Sequence, residues 1–172
     1  MTMLDHALEY AARGWAVFPV HGIVDGICTC GQADCSSAGK HPLGGRGLKD
    51  ATTDLNAINE WWSNYPGANI GIATGPISGL FVVDVDDGPS KTGFVSLQTL
   101  EAEHGQLPRD VCVRTGSGGL HIYLMNPQIN VRNSAGKLGE NIDIRGDGGY
   151  VVAPPSHHVS GNLYAWEEPH VA

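Results

Sequence analysis

Two aspartates open the chemical reading. Asp84 and Asp86 alternate with valines in Val82-Val83-Asp84-Val85-Asp86-Asp87. Successive strand residues face opposite sides, so the two carboxylates share one face, about 6.6 Å apart along the strand. Carboxylates so arranged hold a hard divalent cation or a metal pair; a polar strand end is the plainer reading. Asp87 points the other way or begins the turn at Gly88-Pro89. Asn141-Ile142-Asp143-Ile144-Arg145 repeats the pattern, with Asp143 and Arg145 sharing a face opposite the isoleucines. A carboxylate and a guanidinium two residues apart suit a metal–triphosphate complex, one for metal and one for phosphate. A cross-strand salt bridge would use the same residues. Gly116-Ser117-Gly118-Gly119-Leu120-His121 adds a glycine turn whose bare N–H groups can cradle phosphate, followed by a histidine able to donate to a phosphate oxygen. It lacks the Gly-x4-Gly-Lys-Ser/Thr of a P-loop, and a hairpin turn beside a core-edge histidine accounts for it nearly as well.

A different chemistry lies in Cys28-x-Cys30-x4-Cys35-x5-His41. Zinc takes N and S ligands tetrahedrally, and three cysteines with one histidine are a standard structural set. The short spacings let one loop wrap the ion, with Gly31 and Gly39 for tight turns. Four protein ligands leave no position for substrate, so such a zinc is structural. His21 is the alternative fourth ligand, and a loop with scattered thiols is the bland alternative. Cys112, inside an apolar run, reads as a buried small hydrophobe. His157 and His158, after Pro154-Pro155-Ser156, read as surface loop or as the rim of a site.

The elements that must carry these residues follow from periodicity and turn signals. Helices are expected over 4–13, from 53 or 54 to about 62, and over 90–104. Strands are expected over 15–20, 69–74, 80–85, 110–115, 120–124, 141–145, 149–153 and 163–166. The 110–115 and 120–124 strands form a hairpin around the glycine turn, and 141–145 with 149–153 form another. Residues 21–50 show no periodicity, and a loop that long needs something to hold it, which a metal would do. The expected class is α+β, with a mostly antiparallel sheet and helices packed on it.

Composition narrows the function. A chain of 172 residues that is 41% hydrophobic suits one globular domain rather than a disordered chain. No apolar run reaches the roughly 18 residues of a membrane span. The start, Met1-Thr2-Met3-Leu4-Asp5, lacks the basic and apolar regions of a secretory signal, so the clustered thiols read as metal ligands rather than disulfides. A net charge of -8 argues against a broad electrostatic grip on nucleic acid, though a local basic groove survives the average. No Gly-x-Ser-x-Gly elbow, His-Glu-x-x-His or dinucleotide fingerprint is present. The simplest chemistry joining three strand-borne acids, a histidine and an arginine is two-metal nucleotidyl transfer, with metals about 3.5–4 Å apart on Asp84, Asp86 and Asp143.

In order along the chain, these pieces resemble the bifunctional DNA primase/polymerase (Prim-Pol) domain of the archaeo-eukaryotic primase superfamily. The resemblance begins at Ala7-Leu8-Glu9-Tyr10-Ala11-Ala12-Arg13-Gly14-Trp15-Ala16-Val17-Phe18-Pro19. It continues through the cysteines with Gly39-Lys40-His41-Pro42, then Asp50-Ala51-Thr52, Trp61-Trp62 and Asn69-Ile70-Gly71-Ile72-Ala73-Thr74-Gly75, and ends at Pro154-Pro155-Ser156. The family's Asp-x-Asp motif falls on Asp84 and Asp86, and its single third acid on Asp143. Its Ser-x-His motif falls on Gly119-Leu120-His121, with Gly119 in place of serine and Ser117 nearby. The resemblance implies an RRM-like catalytic half beside an αβ half, with the active site between them and the zinc loop of about 21–50 inserted. It implies two Mg²⁺ or Mn²⁺ ions and a triphosphate bound by His121 and Arg145, with Ser117 and Gly119 at the nucleotide. Lys40, Arg46 and Lys49 become candidate contacts to template or phosphate.

The expected activity is template-dependent DNA priming and extension. The partners are single-stranded DNA, dNTPs or NTPs, and a helicase module in the same or another protein. The setting is cytoplasmic, in bacterial, phage or plasmid replication. The chain is expected to be one catalytic domain, residues 1–172, monomeric in isolation and the N-terminal part of a longer protein. Two other readings stay open. One is a primase-like module that binds nucleic acid or nucleotide without catalysis, favoured by the acidic balance. The other is an Asp-x-Asp metal-dependent glycosyltransferase, which leaves Asp143, His121 and the cysteine loop without a role.

Overall fold

The computed structural model describes residues 1–125 and 130–168, so positions 126–129 and 169–172 of the expected domain lie outside the described residues. Along these residues the order is α1 (Met3–Ala12), β1 (Val17–Val20), β2 (Ile23–Val24), β3 (Ile27–Cys28), a 3-10 turn (Gly47–Asp50), α2 (Leu55–Asn64), β4 (Asn69–Ala73), β5 (Leu80–Val85), β6 (Asp87–Gly88), β7 (Lys91–Thr92), α3 (Gly93–His104), β8 (Cys112–Arg114), β9 (Leu120–Met125), β10 (Ser134–Gly139), β11 (Ile142–Arg145), β12 (Tyr150–Ala153) and β13 (Ala165–Trp166). The class is α+β, and every pairing between these strands is antiparallel.

Local signals account for the helices. Thr2 caps α1 in a capping box: its hydroxyl accepts from Asp5 N at 3.2 Å, and Thr2 N donates to the Asp5 carboxylate at 2.7 Å. Gly14, at φ +83°, ends the helix in the left-handed region. Asp54 caps α2 by accepting from Asn56 N and Ala57 N, both at 2.9 Å. Ile58 and Trp62 of α2 are buried in the same core as Ala7 and Tyr10 of α1. Burying a side chain such as Ile58 stabilises by about 1.5–3 kcal/mol.

The strands form two main sheets. One has the order β1-β4-β12, and the other β10-β11-β5-β9-β8-β13. Alternation along β5 sends Leu80 and Val82 into a core shared with the smaller sheet and helices α1 and α2. Val83 and Val85 enter a second core with Leu97 of α3, Ile122 and Ile142. By the same period of two, Asp84 continues the first face, so the acids emerge where the two sheets meet. The Asp86 end of β5 is pressed against the start of α3: a Cβ at Gly93 would lie 2.3 Å from the Asp86 carbonyl oxygen.

Three features differ from the sequence reading. The segments 141–145 and 149–153 do not form a hairpin: β11 pairs with β5 and β10, whereas β12 pairs with β4 in the other sheet. The Gly-rich link between them crosses from sheet to sheet, where Gly146 O accepts from Thr74 Oγ1 at 2.7 Å and Gly146 N donates to Asn133 Oδ1 at 2.7 Å. Second, the third helix starts at Gly93 rather than at 90, because Lys91-Thr92 pairs back onto Asp87-Gly88. Third, β10 had no apolar alternation to announce it; it is a mostly exposed edge strand carrying Lys137, which suits an edge that must not pair with another chain.

Candidate active site

The strand register brings the sequence-predicted acids and histidine into one row. Asp143 of β11 lies opposite Asp84 of β5, and Asp84 lies opposite His121 of β9. All face the side of the sheet that meets β12. Arg145 sits beside the row and joins its acids. Its Nη2 donates to Asp84 Oδ2 at 2.9 Å and to Asp143 Oδ2 at 3.0 Å, and its Nε donates to Asp84 Oδ2 at 3.1 Å. The other Asp143 oxygen accepts from Gly136 N at 3.0 Å. His121 Nε2 lies 3.4 Å from Asp84 Oδ1. His121 is 5% exposed, and its Nδ1 is buried with no hydrogen-bond partner among the described residues. A buried polar atom left unpaired is costly, which marks this ring as one awaiting a partner.

Asp84 is held ionised. Burial works against its charged form but is outweighed by His121 and Arg145, which keep its carboxyl well below the ordinary 3.8. A carboxyl depressed in the fold stabilises it above the ordinary pKa, and that contribution is lost as pH falls toward the folded value. Without added divalent cations, the urea midpoint is therefore expected to drop from about pH 5 downward. Asp84→Asn should show a shallower drop; an unchanged slope would remove Asp84 from the titrating set.

Asp86 lies just past β5, and its Oδ2 is 2.8 Å from Lys91 Nζ on β7. Asp84, Asp86, His121 and Arg145 line a cavity of about 350 Å³, together with Lys40, Lys91, Thr115, Ser117, Asn133, Tyr150 and Tyr164. Tyr164 is buried between the rings of His121 and His158. Burial, then the Asp84 and Asp86 carboxylates, push its phenol upward. Asp87 serves elsewhere: its Oδ1 accepts from Phe94 N at 3.4 Å at the start of α3.

The glycine turn is shaped by packing. A Cβ at Gly119 would lie 2.4 Å from the Val85 carbonyl oxygen. Serine cannot replace Gly119 without moving β5, so the hydroxyls at this turn come from Thr115 and Ser117, whose oxygens are 3.0 Å apart. Gly119→Ser is expected to destabilise by about 1–3 kcal/mol in a urea titration, the range for overpacking a filled site; a neutral result would show that the turn gives way easily.

The cysteine cluster is equally well formed. The ligand atoms of Cys28, Cys30, Cys35 and His41 all lie within 4.8 Å of one another. His41 Nε2 is 3.4 Å from Cys28 Sγ and 3.5 Å from Cys35 Sγ. A tetrahedral zinc with ordinary bond lengths puts S and N ligands about 3.6 Å apart, so the donor set fits. Burial opposes the Cys28 thiolate, but hydrogen bonds led by Cys30 and Gly39 outweigh it and bring the thiol down to about 6. His21 stands outside the cluster, its ring 4.4 Å from that of His41 and tilted by 33°, with its Nδ1 at 3.0 Å from Thr29 Oγ1. Fully buried Asn69 ties the loop to the rest: its Nδ2 donates to Gly39 O at 2.9 Å and His157 O at 2.8 Å, and its Oδ1 accepts from His157 N at 2.8 Å. The metal cluster and the cavity are therefore joined through Gly39-Lys40-His41, with Lys40 O accepting from Tyr150 Oη at 3.0 Å.

A family model for bifunctional DNA primase/polymerase, N-terminal, matches residues 7–172. The chain belongs to this family. No curated protein matches the chain. The matched span of this Prim-Pol domain takes in the cavity and the cysteine cluster alike.

Of Lys40, Arg46 and Lys49, the candidate template or phosphate contacts, only Lys40 lines the Prim-Pol cavity. Arg46 is paired with Asp50 at 2.6 Å, and Lys49 is exposed on the adjoining 3-10 turn. Gly119 is not among the residues that line the cavity. His158 is buried rather than at the surface, with its Nδ1 accepting from Ser160 N at 3.1 Å. Lys91, Asn133, Tyr150 and Tyr164 escaped the sequence reading. Lys91 had a signal, a cation directly after the turn that follows the two acids; the others are brought to the cavity only by strand pairing. Among the described residues no helix is long and apolar enough to cross a membrane.

Proposed function

We propose that this cavity is the active site of a template-dependent DNA primase/polymerase. The observation that supports it most is the cross-strand row Asp143, Asp84 and His121, set with Asp86 among the cations Lys40, Lys91 and Arg145. The carboxylates of Asp84, Asp86 and Asp143 are the hard oxygen donors that Mg²⁺ or Mn²⁺ takes, and they fit two such ions. Divalent cations bound there would lower the pKa of the attacking 3′-hydroxyl and neutralise the pyrophosphate leaving group. The chain's own groups orient the substrate. His121 offers a ring N–H to a phosphate oxygen, Arg145 and Lys40 take triphosphate oxygens, and Ser117 with Thr115 offers hydroxyls. Tyr150, Val151 and Val152 form the wall on the side of the smaller sheet.

On this reading the six-stranded sheet with α3 is the RRM-like catalytic half, and the smaller sheet with α1 and α2 is the αβ half. The cysteine loop holds a structural zinc. The domain spans 1–172 as a monomer and acts within a longer replication protein of a bacterium, phage or plasmid. A helicase module would supply the grip on single-stranded DNA that a net charge of -8 withholds. The competing reading, a module that binds nucleotide or nucleic acid without catalysis, draws its support from Arg145, which occupies two of the three acids. Glycosyl transfer loses its footing with the family membership. Extension of a labelled primer on single-stranded template with dNTPs and Mn²⁺ tests the proposal. Template-dependent product is expected. Nucleotide binding without extension would favour the binding module.

A further inference from the structure

Every acid at the cavity is already engaged by a cation of the chain. Arg145 holds Asp84 and Asp143, and Lys91 holds Asp86 at 2.8 Å. The cavity wall itself carries Asp84 and Asp86 against Lys40, Lys91 and Arg145; Asp143, outside the lining but bonded to Arg145, brings the group to three acids and three cations. A divalent cation entering alone must displace a lysine or arginine from its carboxylate. A triphosphate entering alone meets Lys40, but Lys91 and Arg145 are already paired. Entering together, they let the partners exchange: the carboxylates take the metal, and Lys91 and Arg145 turn to phosphate oxygens. A nucleoside triphosphate carries about four negative charges and two divalent cations about as many positive ones, so the exchange ends balanced again.

Lys91 is placed for this exchange. It sits on the β6–β7 hairpin, hinged between the end of β5 and the start of α3, and its side chain is 44% exposed against 38% for Asp86. An ion pair that open is weak enough to be given up. We infer that Lys91 is a nucleotide-binding residue that Asp86 holds in place until metal arrives, and that it makes metal and triphosphate binding cooperative. This rests on the proposal that the cavity binds both. Linkage requires each ligand to tighten the other by the same factor.

The test is Mn²⁺ binding to the full chain, read from the EPR signal of free Mn²⁺ with and without a non-incorporable α,β-imido dNTP, after subtracting the Mn²⁺ that the nucleotide chelates without protein. Wild type is compared with Lys91→Met, which keeps the aliphatic stem; an unchanged thermal midpoint confirms its fold. In wild type the nucleotide should tighten Mn²⁺ within the roughly 5- to 150-fold range of ordinary coupling. In Lys91→Met, Mn²⁺ alone should bind about two- to fivefold tighter, as expected on removing a half-exposed ion pair, and the coupling should shrink. Equal Mn²⁺ affinity and equal coupling in the two proteins would overturn the inference while leaving the active site in place. If wild type binds no Mn²⁺ with or without nucleotide, the cavity's proposed function fails, and the inference with it.

Discussion

Asp84→Asn is expected to lower nucleotide incorporation by about 10³-fold or more, the scale of several kcal/mol of lost charge stabilisation in the transition state. Asp84 is the residue on which the site converges. It is the centre of the cross-strand row, opposite Asp143 on one side and His121 on the other, and it accepts two bonds from Arg145. The amide keeps the shape and leaves Arg145 bonded to Asp143. Zinc content should therefore be unchanged, and the thermal midpoint at neutral pH should fall only by the stability that the ionised Asp84 contributes. Primer extension with Mn²⁺ or Mg²⁺, run beside zinc analysis of the same preparations, gives both readings. An Asp84→Asn protein that extends primers normally would sink the assignment of catalytic cations to this row.

Removal of the metal from the cysteine cluster should have the second large effect. Structural zinc in small peptides is bound with about 10–16 kcal/mol at neutral pH, and much of that is folding energy. Apart from the cluster, the loop over 21–50 is held by two short strands, one 3-10 turn, the bonds of Asn69 and Tyr150, and Leu43 and Leu48 packed on the core near its end. Purified protein should contain one zinc per chain. Cys30→Ser, or stripping with a strong chelator, should lower the thermal midpoint by about 10 °C, as a loss of several kcal/mol would for a domain of this size. The loop should then be cut by protease before the sheets are. Because His41 follows Lys40 directly, nucleotide affinity should weaken as well. A zinc-free protein that melts like wild type would show that the cluster holds no structural ion.

Residue types and short spacings carried far in this protein. The alternation of acids with valine and isoleucine told which side chains share a face, and β5 and β11 obey it because a pleated strand has a period of two. The ligand spacing of Cys28, Cys30, Cys35 and His41 was legible because all four lie in one short loop, where chain connectivity alone brings donors together. Helix caps at Thr2 and Asp54 were local in the same way.

Tertiary structure decided what lies across the cavity. That Asp84 faces both Asp143 and His121 is a matter of strand order and register, set by long-range packing that no window of residues contains. The same holds for β11 and β12, which look like a hairpin locally and belong to different sheets because each finds a deeper apolar partner elsewhere. Tyr164 and Lys91 enter the cavity only once β13 has paired with β8 and the β6–β7 hairpin is in place. The sequence thus determined the chemical groups and their faces, through interactions a few residues long. The fold alone determined which groups meet, because burying two apolar sheet faces against each other fixes the row of acids at their junction.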